Sequence, residues 1–174
     1  EGVDETGPDT AYNWGYNPSQ YNVVDGSLSS DPHTPTTRIN EARTMIDRLH
    51  GAGLKVVMDV VYNHVYDRDT FPFDALVPGY AYRVDHHGYM TNSSGCGNDI
   101  ATERTMIRKF IVDSIMHWAK TYKVDGFRFD LMGLIDIKTM HVVRQKLESY
   151  RRDIIVYGEG WNMPAPLPDN RLTH

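Results

Sequence analysis

Three short apolar segments, each followed by polar or charged residues, most strongly constrain the fold of this chain. The first, residues 54–62, is an almost unbroken apolar run, Leu-Lys-Val-Val-Met-Asp-Val-Val-Tyr, typical of a strand buried on both faces of a parallel sheet. Residues 124–130 and 154–159 predict two further strands. Apolar residues at helical spacing predict helices from Thr36 or Thr37 to His50, from about Thr102 to Tyr122, and from Asp136, as N-cap, to Tyr150. This alternation predicts an α/β fold with parallel strands and right-handed crossovers.

Two long segments lack any such periodicity. Residues 1–36 are rich in aromatic and turn-forming residues, and residues 63–100 are rich in His, Asp, Tyr and Gly. Because loops of this length in a folded domain are commonly functional, we predict ordered surface loops.

The composition excludes several classes of protein. The chain has 174 residues, a net charge of −5 and a single cysteine, Cys96. The acidic balance argues against nucleic acid as a partner, and no apolar run approaches the roughly 18 residues of a membrane helix. One cysteine cannot form an internal disulfide. The start at Glu1, without methionine or a leader-like pattern, predicts a processed chain or a piece of a longer one, and leaves secreted and cytoplasmic locations both open.

The second predicted strand ends in Arg128-Phe129-Asp130. Alternation along a strand places Phe127 and Phe129 on one face, against helices, and Arg128 and Asp130 on the other. We expect the guanidinium to lower the pKa of Asp130 and keep it ionised, as a nucleophile requires. An ion pair of Arg128 and Asp130 with a purely structural role would show the same sequence pattern.

Glu159 favours the catalytic interpretation of that pair. It ends the third predicted strand, one βα unit after Asp130, so both carboxyl groups are expected at the same rim of the sheet. Glycine on both sides of Glu159 lets a substrate approach closely, and Trp161 follows. Two carboxyl groups about 5 Å apart across a glycosidic bond are what retaining glycosidases use. The pattern therefore predicts Asp130 as nucleophile and Glu159 as general acid.

The first predicted strand leads into Asp59-Val-Val-Tyr-Asn63-His64. Its three polar side chains converge only if the strand ends near Tyr62. Asp59 and His64 could hydrogen-bond sugar hydroxyls, and Asn63 could offer a carbonyl oxygen to calcium. A loop turn with a surface histidine is the alternative that the pattern leaves open.

The aromatic stretch 12–18, Tyr-Asn-Trp-Gly-Tyr-Asn-Pro, offers Trp14 and Tyr16 for stacking on sugar rings. Its alternative is a rigid loop packed on its own domain. Motifs for other chemistries are missing, since the sequence has no HExxH, no glycine-rich phosphate loop after a strand and no GxSxG. The doublet His86-His87 favours a solvated loop over a zinc site.

Together these segments resemble the signature regions of the α-amylase family of glycoside hydrolases. The segments 59–64, 126–130 and 157–159 match three signature regions in order and spacing, and 12–18, 131–133 and 160–161 are similar to type I pullulanases in particular. The resemblance implies a (β/α)8 TIM barrel whose third, fourth and fifth strands are those predicted here. The roles it implies are nucleophile for Asp130, acid/base for Glu159, positioning of the nucleophile for Arg128, sugar binding for Asp59 and His64, stacking for Tyr16 and a calcium ligand for Asn63. Trp14, two residues before Tyr16, and Trp161, two residues after Glu159, are expected to contact substrate. Asn98-Asp99 resembles a further short motif of the family.

The resemblance implies that residues 1–174 are a fragment of the catalytic barrel domain, without the other five strands, the accessory β-domains or the fourth signature region. The parent would be a bacterial-type glycosidase that hydrolyses α-1,6 branch links in pullulan, limit dextrins, starch or glycogen with retention, and the isolated fragment is expected to be inactive. Its partner would be a branched α-glucan, with no nucleic acid and no membrane. No cofactor is expected to be required, and calcium is left open. The alternatives are isoamylase-type debranching, α-1,4-specific amylase activity, and a non-catalytic relative that binds glucan.

Overall fold

A computed structural model describes residues 13–173 of the chain. The elements in chain order are α1 (Pro35–Gly51), β1 (Val57–Val60), β2 (His64–Val65), α2 (Phe73–Leu76), β3 (Asn98–Asp99), α3 (Thr105–Thr121), β4 (Gly126–Phe129), α4 (Ile137–Tyr150) and β5 (Ile155–Gly158). Short 3-10 turns lie at Gly26–Leu28, Met132–Leu134 and Asp169–Arg171. The three predicted long helices and three predicted strands are therefore present in the predicted order.

Strands β1, β4 and β5 form one parallel sheet with β4 in the centre. Arg128 on β4 lies opposite Asp59 on β1 and Tyr157 on β5. This confirms an α/β fold with parallel strands. Each strand has four residues, fewer than predicted, although single hydrogen bonds extend the pairing at both ends, such as the 2.9 Å bond from Asp130 N–H to the Val60 carbonyl.

The core lies on the face of the sheet that carries Phe127 and Phe129, and both rings are fully buried. Helices α3 and α4 cover this face, and their buried residues include Ile111, Ile115, Val143 and Leu147. Burying each such side chain contributes about 1.5–3 kcal/mol. Arg128, which lies between Phe127 and Phe129 on the strand, consequently points away from the helices.

The opposite face of the sheet is largely uncovered within residues 13–173. Ile155 and Tyr157 on β5 are 41% and 52% exposed, and Leu54, ahead of β1, is 56% exposed. The prediction that residues 54–62 are buried on both faces therefore does not hold for the described part of the chain. Within this run, the residues that face the helices pack against the core, and Val60 among them is buried.

The segment 63–100, predicted as a loop, contains regular structure. Strands β2 and β3 pair antiparallel, with His64 opposite Asp99, and α2 forms one short helix between them. The buried Asp99 carboxylate accepts hydrogen bonds from Thr91 Oγ1 at 2.7 Å and from the Ser93 N–H at 2.9 Å. Strands of two residues and a helix of a single turn are too short to show a detectable period, so the sequence did not predict them.

Two helix ends differ from expectation. Helix α1 starts at Pro35, one or two residues before the predicted cap, and Thr34 is the N-cap, since proline suits the first helical position. Asp136 does occupy the N-cap of α4, but its carboxylate accepts from Arg108 at 3.2 Å instead of capping the helix. At the other end Tyr150, the last residue of α4, is 43% exposed. Among the helices described, none combines the length and apolarity needed to cross a membrane.

Candidate active site

The carboxyl ends of β1, β4 and β5 bring the polar residues of all three signature segments to one rim. Parallel pairing in register is the cause, because it aligns the ends of adjacent strands. The Glu159 N–H donates to the Phe129 carbonyl at 3.1 Å, which holds the residue just after β5 beside the end of β4. The predicted convergence of Asp130 and Glu159 at the same rim is therefore observed.

Arg128 contacts every carboxyl group at this rim. Its Nη1 lies 2.8 Å from Asp59 Oδ1 and 3.3 Å from Asp130 Oδ1, while Nη2 pairs with Glu159 Oε1. The hydrogen bond with Asp59 and the charges of the other two carboxylates raise the pKa of Arg128 further above its usual range. A permanently charged guanidinium thus binds three carboxyl groups on three neighbouring strand ends.

Asp130 differs in its electrostatics from the sequence-based expectation. Its side chain is 12% exposed, and this burial, together with the charges of Glu159 and Asp59, raises the pKa of Asp130 above its usual range. The hydrogen bond from Asn63 and the charge of Arg128 oppose the shift. The expectation of a lowered pKa was wrong because it counted the guanidinium and omitted burial and the neighbouring carboxylates.

Asn63 and His64 lie behind Asp130 and are buried, with 0% and 1% exposure. The Asn63 amide nitrogen donates to the Asp130 backbone carbonyl at 2.8 Å and to Asp130 Oδ2 at 3.0 Å. The Asn63 side-chain oxygen lies 2.6 Å from His64 Nδ1. Burial lowers the pKa of His64, which favours its neutral form. The alternative of a surface histidine is therefore wrong.

The geometry gives no support to the calcium role that the sequence left open for Asn63. The oxygen that Asn63 would offer to the ion is engaged by the His64 ring, and the residue is fully buried. Within residues 13–173 no group of three His, Cys, Asp or Glu side chains is arranged to hold a metal ion.

The segment after β4 holds Glu159 in place. Leu131 adopts a left-handed backbone conformation, with φ 42°, and donates its N–H to Glu159 Oε2 at 3.1 Å. The Gly133 N–H donates to the Glu159 carbonyl at 2.9 Å. Gly133 must be small, because a Cβ there would lie 2.1 Å from the Trp161 carbonyl oxygen. The motif 131–133 therefore positions the backbone around Glu159.

The predicted stacking residues lie at the open side of the rim. The Tyr16 hydroxyl donates to Asp59 Oδ2 at 3.1 Å, and the Arg128 guanidinium lies 5.8 Å from the centre of the Tyr16 ring. The hydrogen bond to Asp59 raises the pKa of Tyr16. Trp14 packs edge-on against Tyr16 at 6.0 Å and is 42% exposed, and Trp161 is 64% exposed. Tyr12 of the same stretch lies outside the described residues.

Sequence reasoning missed the structural roles of Asn17, Leu131 and Gly133. The Asn17 amide lies 3.3 Å from His64 Nε2, and the other two residues form the backbone contacts to Glu159. All three belong to the segments 12–18 and 131–133, which were noted only as marks of resemblance. Their contacts span up to 47 positions in sequence, which local patterns do not register.

Chemically, the site combines two partly enclosed carboxyl groups with one shared guanidinium and an open aromatic side. Glu159 is 32% exposed and Asp130 12% exposed. Such a pair can supply a nucleophile and a proton donor to one bond lying across the rim.

No protein-family model matches the chain, but individual relatives do. It is 50% identical over 167 residues to a pullulanase of Bacillus subtilis (strain 168), a match covering 96% of this chain and 23% of the relative. It is 42% identical over 173 residues to the chloroplastic pullulanase 1 of Arabidopsis thaliana, covering 92% of this chain and 18% of the relative. A crystal structure of a pullulanase from Anoxybacillus sp. LM18-11, complexed with maltotetraose, matches with a TM-score of 0.96 at 50% identity.

That crystal structure covers 99% of this chain, while the chain covers 25% of the crystallised one. The chain therefore spans about a quarter of the length of these two bacterial relatives. The chain is a homologue of the pullulanases over most of its own length.

Proposed function

We propose that this chain is part of the catalytic (β/α)8 barrel domain of a debranching enzyme that hydrolyses α-1,6-glucosidic links in pullulan, limit dextrins and starch or glycogen. Strands β1, β4 and β5 would be the third, fourth and fifth barrel strands, and residues 1–174 would be one fragment of that domain. The parallel order of the three strands supports this proposal, as does the uncovered sheet face, which a closed barrel would enclose.

In the proposed reaction Asp130 attacks the anomeric carbon and forms a covalent glycosyl-enzyme. The bond from that carbon to the glycosidic oxygen breaks, and the oxygen keeps the electron pair and takes a proton from Glu159. In the second step Glu159 takes a proton from water, whose oxygen attacks the same carbon and releases Asp130. Two displacements at one carbon retain its configuration.

The observation that carries this proposal is the contact of one guanidinium with both carboxyl groups at adjacent strand ends. Arg128 would keep the nucleophile oriented and favour its ionised form against the cost of burial. The sugar would be bound by groups that border the rim or lie open to solvent. These are the exposed carboxylate of Asp59 and the rings of Tyr16, Trp14 and Trp161.

The test is hydrolysis by the full-length protein that contains this segment. We expect release of reducing ends from pullulan and little release from linear amylose. Asp130→Asn and Glu159→Gln should each nearly abolish turnover, while the exposed Asp153→Asn, on the loop before β5, should leave it unchanged.

Each other outcome identifies a different protein. Activity on amylose alone would identify an α-1,4-specific amylase. Debranching of glycogen without action on pullulan would identify an isoamylase type. Glucan binding without hydrolysis would identify a non-catalytic relative.

A further inference from the structure

Asp130 is held from two directions, and only one of them is the guanidinium. Arg128 approaches Oδ1, whereas the other carboxylate oxygen, Oδ2, accepts from Asn63 at 3.0 Å. The same Asn63 nitrogen also donates to the Asp130 backbone carbonyl at 2.8 Å. One amide group therefore ties the side chain of Asp130 to its own main chain, which restricts rotation of the carboxylate.

The orientation of that amide and the tautomer of His64 depend on each other. Because the Asn63 nitrogen donates both its protons to Asp130, its oxygen must be an acceptor, so the proton in the 2.6 Å contact is carried by His64 Nδ1. His64 Nε2 is then an acceptor. It lies 3.3 Å from the side-chain amide of Asn17. When that amide accepts from Trp14 Nε1 and donates to the Tyr16 carbonyl, its nitrogen faces His64.

The backbone also holds this pair in place. The Ile100 N–H donates to the Asn63 carbonyl at 2.9 Å, and His64 pairs with Asp99 across β2 and β3. Asn63 and His64 are almost fully buried, so the surrounding structure restricts the orientation of both side chains. In these positions Asn63 hydrogen-bonds to Asp130, and His64 lies beside Asn17 of the aromatic stretch 12–18.

We propose that Asn63 is a positioning residue for Asp130, and that His64 in its Nδ1-protonated form fixes the Asn63 amide for this purpose. This inference rests on the proposed function, in which Asp130 is the nucleophile. It assigns to Asn63 a role that requires no metal ion. Turning the Asn63 oxygen away to an ion would remove its bond to His64, and exchanging oxygen and nitrogen would set an acceptor against the Asp130 carboxylate.

The substitution Asn63→Asp separates the two roles. Aspartate keeps the shape of asparagine and is at least as good a calcium ligand, but it cannot donate hydrogen bonds to Asp130. Asn63→Ala removes the donor without adding a charge. The matched control is Tyr62→Phe, which removes a buried hydrogen bond to Ser114 Oγ at 2.6 Å from the adjacent residue without touching Asp130.

The measurement is kcat and KM on pullulan for the full-length protein, with maltotriose affinity measured by calorimetry. We expect kcat to fall by about 10- to 100-fold in Asn63→Ala, and further in Asn63→Asp. KM and maltotriose affinity should stay within about twofold of wild type, and neither added calcium nor a chelator should restore kcat. Tyr62→Phe should lower the melting temperature and leave kcat unchanged.

Three results would overturn the inference, and they are distinguishable. If the wild type hydrolyses pullulan and Asn63→Ala keeps its kcat, Asn63 does not position Asp130, and the proposed function stands. If Asn63→Asp is active only with calcium, the residue is a metal ligand. If the wild type hydrolyses no α-glucan, the proposed function and this inference fail together.

Discussion

The backbone N–H of Leu131 donates a hydrogen bond to the carboxylate of Glu159, at 3.1 Å, from a left-handed backbone conformation. That conformation costs a non-glycine residue roughly 1–2 kcal/mol, and it falls on the residue directly after Asp130. Such strain persists where the surrounding structure determines it, often at functional sites. Here it points the Leu131 N–H, at the end of β4, toward the Glu159 carboxylate at the end of β5. The residue that follows Asp130 thus hydrogen-bonds to the other carboxyl group of the site.

The first prediction concerns Gly133 in the same segment. Gly133→Ala should displace the Trp161 backbone, because the added Cβ would lie 2.1 Å from its carbonyl oxygen. Glu159, bonded to the Gly133 N–H, would shift with it, and a misplacement of about 1 Å can cost about 100-fold in rate. The measurement is kcat on pullulan. Gly51→Ala, with open space around the new methyl group, is the control, and equal rates for the two variants would refute the proposed role of this contact.

The second prediction concerns the pH dependence that Arg128 imposes. Asp130 must be ionised to attack, and its raised pKa should place the acidic limb of the kcat/KM profile above the ordinary range of an aspartate. Arg128→Gln removes a charge that lowers this pKa, so the limb should move to still higher pH while kcat/KM falls by about 10- to 100-fold. The control is Arg144→Gln, since Arg144 is exposed and forms an ion pair with Glu148 on its own helix. A limb that stays in place would contradict the electrostatic role of Arg128.

The third prediction concerns stability at the opposite end of the sheet. Burial of Asp125 opposes its ionisation, but hydrogen bonds from the Val56 N–H and His50 and the charge of Arg151 outweigh it and lower the pKa of Asp125. A lowered carboxylate pKa stabilises the fold above the unfolded-state value, about 3.9, and this stabilisation is lost as the pH falls through the folded-state value. Asp125→Asn should therefore cost about 1–3 kcal/mol at pH 7.

Thermal unfolding of the full-length protein at several pH values measures this effect. The difference between wild type and Asp125→Asn should shrink as the solution is acidified below the ordinary aspartate pKa. Asp153→Asn, which removes an exposed partner of Arg151, should change the unfolding temperature little. A difference that stays constant with pH would show that the carboxylate charge is not the cause.

Much of the fold could be predicted from the sequence, because its long elements have clear periods. The alternation of Phe127 and Phe129 with Arg128 predicted which face of β4 meets the helices, and the fully buried rings confirm it. Strands β2 and β3 could not be predicted, since two residues show no period. The exposure of Leu54 and Tyr157 could not be predicted either, because an apolar strand pattern does not indicate which neighbours cover each face.

The candidate site follows a similar division. The strand-end positions of Asp59, Asp130 and Glu159 were predictable, since parallel strands align their carboxyl ends. The direction of the Asp130 pKa was not, because it depends on a balance of burial and three neighbouring charges that only the three-dimensional structure gives. The role of Asn63 could not be derived from local sequence either, since its partner Asp130 lies 67 positions away.

Trapping the glycosyl-enzyme on Asp130 would test directly whether this residue is the nucleophile. In full-length Glu159→Gln protein, maltotriosyl fluoride should still react, because fluoride leaves without a proton donor, but water should attack slowly without its general base. We expect peptide mass spectrometry to find a maltotriosyl adduct on Asp130. An adduct on another residue, or none on Asp130 in a protein whose wild type hydrolyses pullulan, would contradict this assignment.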